Sequence, residues 1–186
     1  MNAILIFCCS LLLSQIAFSA TKTAIFAGGC FWCMQPPFDK LPGVTKTVAG
    51  YAGGIIANPT YALVSSGKTK YLEAVLVEYD PDKIHYQALL DVFWRNVDPL
   101  DGGGQFCDRG AQYTSAIFVN DEEQKKLAVT SLASLPWKNI KTQIRPVTTF
   151  YPAEEYHQNY YQKNPIRYKY YRYNCGRDGR LKVLWQ

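Results

Sequence analysis

Hydrophobic and polar positions change period several times along the chain, and each change predicts an element. Residues 4–18 are almost unbrokenly apolar, and residues 1–20 hold no Lys, Arg, Asp or Glu. An apolar run of this length followed by Ala17-Phe18-Ser19 reads as a secretory signal peptide over residues 1–19, cut after Ser19. It is short for a membrane span, so an uncleaved anchor is the lesser alternative. Beyond it, residues 23–27 form a short apolar strand running into Gly28-Gly29-Cys30, and a helix is expected over 31–40, although Pro36 and Pro37 favour a start nearer Cys33. Residues 44–49 and 72–79 read as further strands, the second ended by Asp80-Pro81. Asp80 is expected to cap a helix with Pro81 at its first position and Ile84, Ala88, Leu89, Val92, Phe93 and Val97 along its apolar face. Residues 115–119 form a strand, Asn120 and Glu123 a capping box for a helix to about Leu135, and residues 140–147 a last strand. Strands and helices mix without a βαβ rhythm, which predicts α+β: one domain over 20–186 with a mixed β-sheet and packed helices.

Composition narrows the classes. Of 186 residues 48% are hydrophobic and 19% charged, with Gly 13 and Pro 10, which excludes a disordered, collagen-like or low-complexity chain. Aromatic residues reach 15%, 14 of them Tyr, more than a plain scaffold needs, so aromatic-lined clefts are expected. A net charge of +5 allows nucleic-acid binding without demanding it. Between residues 163 and 182 basic residues interleave with tyrosines, which reads as a solvated basic tail packing its rings on the domain. Of six Cys, Cys8 and Cys9 lie in the apolar leader, leaving Cys30, Cys33, Cys107 and Cys175. Export implies an oxidising compartment, where thiol chemistry needs an outside reductant.

The order strand, Gly-Gly, Cys, helix makes Cys30 the candidate nucleophile. Glycines allow a tight turn, and a helix N-terminus favours a thiolate. Phe31 and Trp32 follow as walls for an apolar pocket. Cys30-x-x-Cys33 also reads as a redox pair, which keeps a thiol–disulfide oxidoreductase open. Half a zinc site is poorly supported, since Cys107 and Cys175 stand apart rather than as a second pair. Alternation puts Glu73 on one strand face with Val75, Val77 and Tyr79, against Leu72, Ala74 and Leu76 on the other. If the first face is buried, Glu73 becomes a proton donor; if not, it is a solvated strand-end carboxylate. Ser66-Gly67-Lys68-Thr69 fails as a phosphate loop because Ala62 stands where its first glycine belongs. Gly102-Gly103-Gly104 follows no strand and reads as a mobile loop.

Five blocks occur in order: Gly28-Gly29-Cys30-Phe31-Trp32 with Gly50-Tyr51; Asn58-Pro59-Thr60-Tyr61; Glu73-Ala74-Val75; residues 104–117 (G-Q-F-C-D-R-G-A-Q-Y-T-S-A-I); and Tyr156-His157-Gln158. The series resembles the peptide-methionine (S)-S-oxide reductases, the A-type methionine sulfoxide reductases, over about residues 23–175. The resemblance implies a ferredoxin-like centre and a shallow aromatic-lined site. It implies Cys30 as nucleophile, Glu73 as proton donor, Tyr61 and Tyr113 on the substrate oxygen, Asp108 in the site, and Phe31 and Trp32 around the S-methyl group. Where the family usually has Gly-His shortly before the Glu, this chain has Lys70 and Tyr71, a departure that bears on the pocket rim. The implied reaction turns methionine-(S)-sulfoxide, free or in proteins, into methionine through a Cys30 sulfenic acid and an intramolecular disulfide. It calls for no metal or organic cofactor, only an external dithiol such as a thioredoxin-like protein. For the resolving thiol Cys175, in a long coiled C-terminal tail before Gly176, is preferred to Cys33. A monomer is expected, with no nucleic-acid partner and no stable membrane insertion.

Overall fold

The computed structural model describes residues 20–186, so the expected secretory segment at 1–19 lies outside the described residues. In chain order the elements are β1 (Lys22–Gly28), α1 (Phe31–Asp39), β2 (Val44–Ala52), α2 (Tyr61–Ser65), β3 (Leu72–Tyr79) and α3 (Tyr86–Trp94). There follow β4 (Gly104–Gln105), β5 (Asp108–Arg109), β6 (Ser115–Val119), α4 (Glu122–Ala133), β7 (Gln143–Pro146) and β8 (Tyr151–Pro152). Three helices close the chain: α5 (Tyr160–Lys163), α6 (Pro165–Asn174) and α7 (Arg177–Leu184).

Six strands form one sheet in the order β7-β6-β1-β3-β2-β8, and β4 and β5 form a small hairpin. The four central strands pair antiparallel in the order β6-β1-β3-β2, which with α1 and α3 is the expected ferredoxin-like centre. β7 runs parallel to β6, and that pairing makes the sheet mixed. Alternation sends Phe26, Tyr51, Val75, Val77 and Ile117 into the larger core beneath the helices. Phe26 stacks there on Phe38 at 5.0 Å and on Phe93 at 5.3 Å. Each such ring contributes about 2–3 kcal/mol by leaving water. The opposite face buries smaller side chains, among them Ala27, Ala52, Ala74 and Ala116.

Several boundaries differ from the sequence reading. The helix expected from Pro81 begins at Tyr86, because Asp80 caps a turn instead: its carbonyl accepts from the N–H groups of Lys83 and Ile84, and its Oδ1 from Asp82 N–H at 3.0 Å. The capping box sits one residue on, with Asp121 accepting from Gln124 N–H at 2.7 Å and Gln124 Oε1 from Asn120 N–H at 3.1 Å. α1 starts at Phe31 and carries Pro36 and Pro37 inside it, at the cost of the ladder bonds their missing N–H groups would make. The glycine-rich loop leads into the β4–β5 hairpin, which begins at Gly104. A Cβ on Gly104 would lie 2.2 Å from the Asp108 carbonyl oxygen, which is why that position holds glycine.

The largest correction concerns the tail. It is not a long coil but three helices, and it is anchored. Pro165 starts α6 at its first turn, and Gly176, at φ +68°, lets the chain bend into α7. Arg172 pairs with Asp178 across that bend, and Arg177 is fully buried. Among the described residues no helix is long and apolar enough to cross a membrane.

Candidate active site

Cys30 is the N-cap of α1, at the end of β1, and is 6% exposed. The sheet register brings β3 beside this turn, so Glu73 reaches it from the helix-covered face, the face the sequence left undecided. Its Oε2 accepts from Phe31 N–H at 3.1 Å, and the side chain is 2% exposed. Burial pushes the Glu73 carboxyl up to about 8, against a smaller opposing effect of the Phe31 hydrogen bond. A carboxyl bonded to the backbone one residue beyond the thiol thus holds its proton at neutral pH.

The thiol behaves differently from a helix-end cysteine in the open. Burial raises the Cys30 thiol well above its usual range, and its hydrogen bond to Cys33 and the nearby carboxyls of Glu73 and Asp108 push the same way. The N-terminal position alone predicts a lowered value; with the group enclosed and acidic side chains around it, desolvation dominates. Cys33, one helical turn on and fully buried, is its partner. Cys30 donates to the Cys33 sulfur, and with the charges of Arg177 and Arg172 that brings Cys33 down to about 6. Of the two thiols, Cys30 is thus the one that holds its proton more firmly.

Tyr61 and Tyr113 come to the same place from two separate segments. Tyr61 opens α2, where Thr60 Oγ1 caps Leu63 N–H at 3.3 Å and Glu154 accepts the Tyr61 N–H at 2.7 Å. Tyr113 ends a single 3-10 turn over Ala111–Tyr113. Both phenols are half-exposed, lie beside one another, and are raised mainly by burial and next by Glu73; Tyr61 also raises Tyr113, while its hydrogen bond with Tyr113 lowers Tyr61 in part. They hold their protons and stand as donors. Asp108, half-buried on β5, accepts from the Tyr171 hydroxyl at 2.6 Å; burial raises its carboxyl.

Phe31 is buried and Trp32 half-exposed. Trp32 is held on three sides: its ring stacks on Tyr160 at 3.7 Å, meets the edge of Tyr171, and its Nε1–H donates to His157 Nδ1 at 3.1 Å. His157 packs between Phe31 and Tyr61, and burial keeps it neutral. Sequence reasoning gave no role to His157, Glu154, Tyr171 or Arg177. His157 lies in one of the quoted blocks, which was the available signal; the others are distant in sequence and become neighbours only through the fold. The unusual Tyr71 is buried, its hydroxyl donating to Ile56 O, and its ring lies where a Cβ on Gly54 would fall, while Lys70 stays exposed.

Cys175 is disulfide-bonded to Cys107, with Cα atoms 4.8 Å apart, and its sulfur lies 3.9 Å from Asp108 Oδ2. The thiol adjacent to Cys30 is Cys33, and those two are free. Cys107, Asp108 and Cys175 also converge closely enough for metal ligands, yet the bond between the two sulfurs removes the thiolates a soft metal needs.

Against known proteins, residues 22–186 match the family model for peptide methionine sulfoxide reductase. Peptide methionine sulfoxide reductase MsrA 2 of Caulobacter vibrioides is 49% identical over 173 residues, covering 91% of this chain and 88% of that one. The crystal structure of Mxr1 from Saccharomyces cerevisiae in reduced form superposes with a TM-score of 0.73 at 36% identity, covering 78% of this chain and 87% of that one. The same yeast protein in complex with Trx2 superposes at 0.52 and 28% identity, covering 75% and 84%.

Proposed function

The chain belongs to the peptide methionine sulfoxide reductase family, an enzyme reducing methionine sulfoxide with thiols, and on that premise we propose which residues carry the reaction and on which epimer. A sulfoxide is a poor electrophile until its oxygen is protonated, so the site needs an acid for oxygen, a soft nucleophile for sulfur, and donors that strengthen as charge develops. Glu73 gives its proton to the sulfoxide oxygen, with the Tyr61 and Tyr113 phenols donating to the same atom. Cys30 attacks the sulfur as its proton passes to the Cys33 thiolate. The oxygen leaves with Cys30 as a sulfenic acid and methionine departs. The observation that carries this reading is the proton-holding Glu73 carboxyl bonded to Phe31 N–H, one residue beyond a buried thiol.

For the second half we propose Cys33, rather than Cys175, as the resolving thiol. Its hydrogen bond with Cys30 and the engagement of Cys175 with Cys107 support this reversal of the sequence expectation. Attack of Cys33 on the sulfenic acid gives a Cys30–Cys33 disulfide and water, and an external dithiol restores both thiols. A thioredoxin-like protein is the proposed donor, on the analogy of the yeast Mxr1 complex with Trx2.

Phe31 and Trp32 take the S-methyl group, and the opposed oxygen side makes the site asymmetric, so the S epimer at sulfur is the proposed substrate, free or in proteins. Incubation with racemic methionine sulfoxide and dithiothreitol, with the epimers resolved, tests this. Consumption of the S epimer alone is expected, and comparable loss of both overturns it. The apolar leader makes the enzyme an exported one; an amino terminus still at Met1 in protein recovered from its source would contradict that.

A further inference from the structure

Among the described residues, Arg177 is a large, fully buried charged side chain that the reaction above does not use. It sits in the first turn of α7, and among the described residues it forms no ion pair with a carboxylate. Its Nη2 donates to Gly28 O at 3.0 Å and Asn96 O at 2.6 Å, and lies 2.9 Å from Met34 Sδ. Its guanidinium lies over the Phe106 ring at 4.4 Å. Nε and Nη1 have no partner. A Cβ on Gly29 would fall 3.7 Å from Nη1, so that unpartnered edge faces the glycine just before Cys30.

Burying a guanidinium without a counter-ion costs several kcal/mol, and two idle buried donors add to that. The neighbouring arginines avoid this cost. Arg172 forms a bidentate pair with Asp178, and Arg180 pairs with Asp98. Arg177 brings to the turn at residues 28–33 a charge without an ion-pair partner, though it acts on the nearby Asp108 carboxyl.

We propose that Arg177 is a positioning residue for the recycling half of the reaction: it ties the cysteine turn to the C-terminal helices and holds its unpartnered positive edge against the turn from which Cys33 attacks. This rests on the reading of Cys33 as resolving thiol. In the step it assists, the Cys33 sulfur forms a bond to the Cys30 sulfur as the S–O bond breaks; the departing hydroxide takes the proton that Cys33 received in the first half and leaves as water. Cys33 is oxidised and the sulfenic sulfur reduced. The other groups around Cys33 are the Cys30 thiol, which donates to it, Arg172, which acts in the same direction as Arg177, and Asp108, which opposes. Glu73, Tyr168 and Tyr171 also feel a charge on Cys33, and each is neutral at pH 7 by virtue of burial. The disulfide at Cys175, two residues before Arg177, pins the segment to Cys107, next to the Phe106 ring on which the guanidinium rests.

The test follows cysteine 13Cβ shifts against pH in the full-length protein with Cys30 and Cys33 reduced and Cys107 still joined to Cys175, then times the two halves of one turnover with stoichiometric sulfoxide and no reductant. In the unaltered enzyme Cys33 is expected to titrate at about 6. Titration above pH 8 overturns the proposal without any variant. Arg177→Met is expected to raise that midpoint by about one pH unit or more and to slow disulfide formation at pH 7 at least about tenfold more than methionine release. Arg177→Lys, which keeps the charge but not the planar contacts, is expected to restore most of the midpoint. A purely structural arginine would leave the midpoint alone in whichever variant folds, and that result also overturns the proposal. Absence of methionine release in the unaltered enzyme would instead sink the assignment of the reaction, and a disulfide other than Cys30–Cys33 the choice of resolving thiol.

Discussion

Replacing Glu73 by Gln separates the cost of this carboxyl from its use. The side chain is 2% exposed, and burial raises it from 4.5 to about 8. The folded protein therefore binds a proton there that the unfolded chain has released, between those two values. A group whose folded value is raised contributes its stability below the unfolded value and loses it as pH rises through the folded one. From pH 6 to pH 8 the integrated loss is about 2 kcal/mol. Glu73→Gln cannot lose a proton, so the difference in stability between variant and unaltered protein should grow in the variant's favour by that amount. The amide oxygen still accepts the Phe31 N–H. The rate of sulfoxide reduction in a single turnover should nevertheless fall by about 10²-fold or more, the scale of a lost general acid. In the unaltered enzyme about nine-tenths of Glu73 is protonated at pH 7, so its rate should decline with a midpoint near the folded value, about 8. Urea unfolding at pH 6, 7 and 8, paired with quenched-flow detection of methionine, checks both halves. Parallel stability curves for the two proteins, or a variant with the unaltered rate, would refute the reasoning.

Tyr61→Phe and Tyr113→Phe should each lower the single-turnover rate about 10²-fold with smaller changes in KM, because the phenols act on charge that develops only in the transition state; steady-state and stopped-flow kinetics on the S epimer check this. The Cys107–Cys175 bond closes a loop with a sequence separation of 68, so removing both cysteines by Cys107→Ser and Cys175→Ser should cost about 4 kcal/mol of unfolding free energy in urea. The double variant should still form methionine, since it leaves the free thiols Cys30 and Cys33 in place.

The central strands were legible because they are long and alternate cleanly, as Leu72–Tyr79 does, and candidate site residues could be named because the five blocks are distinctive in series. Alternation put Glu73 on one face with Val75 and Val77; only packing revealed that α1 covers that face. The boundaries that moved were decided by local competition: Asp80 bonds its own turn, and Asp121 outcompetes Asn120 as a cap. The packing of tail tyrosines on the domain was expected, as seen for Tyr160 and Tyr171 on Trp32, but the tail was misread as coil and its arginines as solvated. Their partners are far away, Tyr171 on Asp108 and Arg177 on Gly28 and Asn96. The same distance hid the Cys107–Cys175 pairing and made Gly176 look like a source of mobility when it serves as the bend between two helices.

The claim that joins these residues is that Cys30 and Cys33 complete one turnover between them. It is tested most directly by adding one equivalent of S-sulfoxide to enzyme whose Cys30 and Cys33 are reduced, without reductant, and mapping disulfides by peptide mass under non-reducing conditions. The account predicts one methionine per chain, a Cys30–Cys33 disulfide, and Cys107 still joined to Cys175. A first disulfide between Cys30 and Cys175, with turnover surviving Cys33→Ser, would contradict it.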